Sequence, residues 1–208
     1  ASRETDSARP GFPARGGEPF RSDATAWAIL ALSQLAPGHP LLGSARDRLT
    51  TAQDPDGRVS MSREHEEAFW PTALSILAWH GSEAHESHCS RGVLFLLKTT
   101  GQHRSKNPDE PVGHDPSILG WPWIDGTHSW IEPTALGVIA LTVAGHGQHD
   151  RVREAIRMIL DRQLPHGGWN YGNTTVFGRE LHPMPENTGA ALASLAGQAE
   201  QGTVARSL

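Results

Sequence analysis

Three carboxylates recur in one setting along this chain. Asp23, Glu132 and Glu186 each stand two residues before a threonine, Thr25, Thr134 and Thr188, where an apolar helical run begins. Carboxyl groups gathered at helix starts can donate a proton or stabilise a developing cation. Acids there also favour the helix dipole and cap free N–H groups, which alone accounts for their placement. Trp70 fills the fourth equivalent position, before Thr72. If the set is catalytic, Asp23 and Glu132 are the candidate proton-transfer groups and Glu186 a substrate contact.

Aromatic residues gather at the same places. The chain has 7 Trp against 1 Tyr and 5 Phe, and most lie at or just before these helical runs. Trp27, Trp70, Trp130 and Tyr171 are candidates to line a ligand pocket, where aromatic faces contact apolar chains and attract cations. Trp121 and Trp169 sit at turns and read as structural. His80, His85, His88 and Cys89 lie close in sequence but make no full ligand set, so no metal is expected. The glycine-rich GGWNYG lacks the Lys-Ser/Thr ending of a phosphate loop. No cofactor is expected either.

The elements that position these residues repeat. SDATAWAILAL (Ser22–Leu32), FWPTALSILAW (Phe69–Trp79), WIEPTALGVIAL (Trp130–Leu141) and PENTGAALASL (Pro185–Leu195) align on their threonines, 47, 62 and 54 residues apart. A helical phrase returning about every 50 residues marks helical-hairpin repeats. Periodicity predicts helices over Asp23–Ala36, Pro40–Gln53, Pro71–His80, Glu86–Lys98, Pro133–Gly145, Asp150–Leu164 and Glu186–Ala199. The phrase helices are almost uncharged. Those between them carry Arg, Asp and Glu on one face, with Arg151, Arg153, Glu154, Arg157 and Asp161 outside on the sixth. Uncharged helices belong inside and amphipathic ones outside. The expectation is all-α, an α/α toroid or partial toroid with inner and outer helix layers.

Thr99–Gly120 is a long polar connection with His103, Lys106, Asn107 and His114, of the kind that is functional or mobile. Gly167–Pro185 is a Gly/Asn-rich excursion. One repeat domain over 19–200 is expected, with a flexible N-terminal segment at 1–18 and a tail at 201–208. The polar, Pro/Gly-rich opening suggests a processed or fragmentary beginning.

Composition narrows the function classes. The net charge of −5, with 18 basic residues and no basic cluster, gives no case for nucleic acid. No apolar run reaches the ~20 residues of a membrane span. Cys89 is the sole cysteine, so no intramolecular disulfide forms. A soluble protein, cytoplasmic or at the membrane periphery, is expected.

A turn links outer to inner helices: Gln163-Leu-Pro-His-Gly167-Gly168-Trp169 after the sixth helix, and Gln53-Asp-Pro-Asp-Gly57-Arg-Val59 after the second. Gly120-Trp121 precedes the fifth. This turn resembles the Q-x-x-x-G-x-W repeat of the terpene cyclase and prenyltransferase superfamily, as in squalene–hopene cyclases and protein prenyltransferase β subunits. With the T-A phrases, the likeness covers Gly17 to Gly197. WIEPTAL and GGWNYG also resemble phrases of bacterial prenyltransferase/squalene-oxidase repeat proteins. The resemblance implies a toroid binding an isoprenoid or other apolar ligand in a central cavity. At the D-x-D-D-T-A acid motif of class II cyclases this chain reads Arg21-Ser22-Asp23-Ala24, keeping one acid.

Two other readings stand beside it. Paired carboxylates and Trp platforms suit a carbohydrate-active α/α barrel. A helical-repeat scaffold is the third, since four phrase helices are fewer than the six inner helices of the family's closed toroid. An open arc predicts a homodimer or further repeats.

Overall fold

The computed structural model describes residues 11–107 and 109–199. The chain is mostly helical: the described residues hold α1 (Ser22–Leu35), α2 (Leu41–Thr50), α3 (Pro71–Trp79), α4 (Glu86–Lys98), α5 (Ile131–Leu141), α6 (Asp150–Asp161) and α7 (Pro185–Ala199). The one sheet among them is a hairpin, β1 (Thr175–Val176) against β2 (Arg179–Glu180). Contacts divide the chain into two compact units between Phe95 and Leu96.

In the first unit, α1 packs on α3 and α2. Every residue of α3 except Leu77 is buried, as its uncharged sequence demands. Trp79 at its end is fully buried, and its indole N–H donates to the Arg46 carbonyl of α2 at 3.3 Å. In the second unit, α5 packs on α7 and α6. The α6 helix buries Val152, Ala155, Ile156, Met158 and Ile159, and exposes Arg153 and Arg157. Phrase helix therefore packs on phrase helix in both units.

The threonine that defines the phrase has a specific task. Thr134 Oγ1 accepts the Trp121 N–H at 2.9 Å and donates to the Trp121 carbonyl at 3.3 Å, across 13 residues. Thr72 does the same to Val59 and Thr25 to Phe12, also across 13 residues. Thr188 clamps Trp169 at 3.0 and 3.1 Å, across 19 residues. The longer interval holds the β1–β2 hairpin. Each hydroxyl pairs both backbone groups of one residue at a helix entry, and the carbonyls of Phe12, Trp121 and Trp169 also accept the N–H groups of Arg21, Trp130 and Met184.

The recurring turn is a matched pair as well. Asp54 N–H donates to the Arg58 carbonyl at 2.8 Å, and Leu164 N–H to Gly168 at 3.0 Å. Gly57 (φ +98°) and Gly167 (φ +92°) occupy the left-handed region that glycine tolerates. Gln53 Nε2 bonds the carbonyls of Gly57 and His88 at 3.1 and 2.9 Å. The indoles of Trp121 and Trp169 donate to the carbonyls of Leu96 and Ile159, near the ends of α4 and α6. They add a side-chain donor to last-turn oxygens that otherwise hold only the Thr99 and Arg162 N–H groups, at 3.4 and 3.2 Å.

Several expected features differ. The fifth helix widens into a π turn over Thr142–His146, and Gly145 at φ +86° closes it. The sixth ends at Asp161, because Arg162 leaves the helical region just before the turn at Gln163. Arg151, expected outside, is buried: its guanidinium stacks on Trp121 at 3.9 Å and bonds the carbonyls of Thr99, Leu119 and Gly120. Of the N-terminal segment, 1–10 lies outside the described residues, while Phe12 is held by Thr25. The tail at 201–208 also lies outside them.

Replacing Thr134 by Val keeps the shape and removes the hydroxyl. The buried Trp121 N–H then loses its partner, a cost of about 1–3 kcal/mol. Thermal denaturation should show Thr134→Val melting several degrees below wild type. Thr134→Ser, which keeps both bonds, should lose less.

Candidate functional site

The expected site residues fall in both units. Asp23, Trp27 and Trp70 belong to the first; Trp130, Glu132, Tyr171 and Glu186 to the second. Within the second unit, the helix entries of α5 and α7 gather their four. Trp130 is the N-cap of α5, in extended backbone, and its N–H donates to the Trp121 carbonyl. The next residue, Ile131, donates to the Tyr171 carbonyl at 2.9 Å. Glu132 lies in the first turn of α5 and Glu186 in the first turn of α7.

Glu132 feels the charge of Glu186. Burial pushes the half-buried Glu132 carboxyl above its ordinary value, and the negative charge of Glu186 pushes it further. The dipole of α5 favours the charged form, by about 0.3–1 kcal/mol at an exposed helix start. The net direction is upward, so desolvation and the second carboxylate win. A carboxyl raised in this way is suited to general-acid work.

Asp23 is differently placed. Arg21 holds it in a bidentate ion pair, Nε to Oδ1 at 2.9 Å and Nη2 to Oδ2 at 2.6 Å. Both oxygens are engaged by a neighbouring cation. The arginine that stands at the first position of the D-x-D-D pattern is thus the partner of the remaining acid.

The aromatic residues separate by exposure. Trp121 and Trp169 are buried to 1% and tied by their indoles, as structural residues. Trp27 and Tyr171 are each 51% exposed. Trp70 and Trp130 are part-buried at the entries to α3 and α5. Trp130 also borders a cavity of about 250 Å³ lined by His114, His128 and Arg162.

The histidine and cysteine run has local partners. His85 bonds Ser82 and Asp47, at 2.8 and 3.0 Å. His88 Nδ1 contacts Gln53 Oε1 at 2.7 Å, and burial with the Arg91 charge lowers its pKa. Burial raises the Cys89 thiol, whose Sγ lies 3.7 Å from the Ile76 carbonyl. No cluster of three metal-binding side chains occurs among the described residues.

No protein-family model matches the chain, and no curated protein matches it either. Sequence reasoning missed Arg162 and the role of His114. The signal for His114 was present, since it stands in the long polar connection Thr99–Gly120. Arg162 had none: one residue past a charged helix, it looks like another surface arginine.

Because the folded state holds the Glu132 proton more tightly, its stabilisation is complete at low pH. It is lost as pH rises through the raised value. Glu132→Gln, which cannot ionise, should raise Tm near about pH 8 and change it little near about pH 4. Scanning calorimetry at the two pH values checks this. A Tm loss confined to the higher pH would show instead that the charged carboxylate stabilises the helix start.

Proposed function

We propose that this chain is a terpenoid cyclase- and prenyltransferase-like repeat domain, a full or partial α/α toroid that binds an isoprenoid or other apolar ligand. Glu132 carries the reading. It is a half-buried carboxyl, raised by burial and by Glu186, two residues after Trp130 at a helix entry. Such a group can serve as a general acid or, once ionised, support a cation beside an indole face. Asp23 differs, having both carboxylate oxygens engaged by Arg21. Trp27, Trp70, Trp130 and Tyr171 supply aromatic surface. The repeated threonine clamps support the comparison with helical-hairpin repeats, in which helix entries carry the functional groups.

One observation favours a second reading. The charge of Glu186 reaches the Glu132 carboxyl, as the charge of one carboxylate must reach the other in a carbohydrate-active enzyme. No described helix is long and apolar enough to cross a membrane.

Native mass spectrometry with tryptophan fluorescence separates these readings. The protein should retain squalene or farnesol at a fixed stoichiometry, and Trp130→Ala should weaken binding by about tenfold, the effect of losing one aromatic contact. Glu132→Gln should bind and abolish any turnover. Binding of oligosaccharides in place of both lipids moves the assignment to the carbohydrate enzyme. Binding of neither class leaves a helical scaffold that acts through a protein partner or a second copy.

A further inference from the structure

The second unit contains a buried cation that the fold does not neutralise. Arg162 is 4% exposed. Its Nη1 donates to the Ser129 carbonyl at 2.7 Å, and its Nε has no hydrogen-bond partner. No carboxylate forms an ion pair with it among the described residues. Asp161 and Asp115 act on it only through their fields. Asp161 Oδ2 accepts the Asp115 N–H, and Asp115 Oδ1 accepts the amide and hydroxyl of Ser117. Burying an unpaired charge is expensive, and folds rarely leave one without cause.

Arg151 gives the contrast. It is buried to a similar degree and, like Arg162, has its pKa pushed down to about 10 by desolvation. Its guanidinium, however, is engaged by three backbone carbonyls and the face of Trp121. Arg151 is used up by the architecture. Arg162 is not.

Arg162 lines the cavity of about 250 Å³ together with Arg104, His114, His128 and Trp130. His114 is 8% exposed, and its Nδ1 also lacks a partner. Burial and the neighbouring charges of Arg162, Arg104, Lys106 and His128 push its pKa down to about 4. It is neutral at pH 7, with a ring that can still donate one N–H. Arg104 is neutralised by an ion pair with Glu110. Space for the Arg162 guanidinium comes from Gly172, where a Cβ would stand 2.9 Å from Nη1. That backbone, at φ +140°, is one few other residues adopt.

We propose that this cavity binds a small organic oxyanion, a carboxylate or a phosphate monoester, with Arg162 as its anchor. A guanidinium edge matches two oxygens of either group. His114 supplies a neutral donor, and Trp130 a flat surface for the organic part. The ligand would supply the negative charge that the fold withholds. The site shares Trp130 with the aromatic surface proposed for the apolar ligand, but needs neither Glu132 nor Glu186.

Calorimetric titration of the full chain with benzoate, phenyl phosphate and inorganic phosphate tests this. At least one organic probe should bind saturably, and its identity distinguishes a carboxylate from a phosphate. Arg162→Gln should weaken that binding by at least about tenfold, the usual loss for a buried charge-assisted pair. His128→Ala, a change at an exposed position that leaves the core intact, should weaken it several-fold. Without ligand, Arg162→Gln should melt no lower than wild type, because it removes an uncompensated charge. No saturable binding of any probe, or unchanged affinity in both variants, overturns the assignment.

Discussion

Everything in this molecule that repeats depends on one hydroxyl. A threonine in the first turn of each phrase helix takes the N–H and returns its own proton to the carbonyl of a residue far back in the chain. The bond pair fixes where the incoming segment crosses the helix entry. It thereby sets where Trp121 and Trp169 can send their indoles, to carbonyls near the ends of α4 and α6. Helix start, crossing segment and preceding helix end become one connected unit. The Thr72 and Thr134 bonds are buried, so water cannot replace them at low cost. Gly137 belongs to the same assembly, since a Cβ there would stand 2.7 Å from the Trp121 ring.

A clamp that fixes helix entries also fixes whatever stands two residues before the threonine. Acids there share a backbone setting and differ in surroundings. Asp23 meets Arg21 and becomes half of an ion pair. Glu132 meets burial and Glu186, and its proton is held more tightly. One scaffold thus yields two carboxylates of different character, through their neighbours rather than their own helices. The raised carboxyl carries a cost in the charged state, as groups kept for chemistry often do.

Much of the frame was legible from the chain alone. Threonine spacing, uncharged phrase helices and the Gln-to-Trp turn each follow from local sequence, and α4 matches its expected bounds, Glu86–Lys98. The clamp partners carried a signal of their own: Phe12, Val59 and Trp121 are all large apolar residues at one interval from the threonine. Trp169 broke that interval because a hairpin is inserted after it. The cavity around Arg162 was not legible. Its members come from the Thr99–Gly120 connection, the approach to α5 and the end of α6, segments with no common period. Arg151 misled for a related reason. A charge on an amphipathic helix reads as solvent-facing, and only the packed structure reveals the carbonyls and the indole waiting for it.

Native-state hydrogen exchange at the clamped amides tests the organising role of the threonines most directly. The N–H groups of Val59, Trp121 and Trp169 lie in short irregular segments, outside every helix. If the clamps hold the repeats together, these amides exchange only as their unit unfolds, with protection equal to that in the centres of α3 and α5. Exchange at the rate of ordinary loops would contradict that account, and would leave helix packing alone to explain the fold.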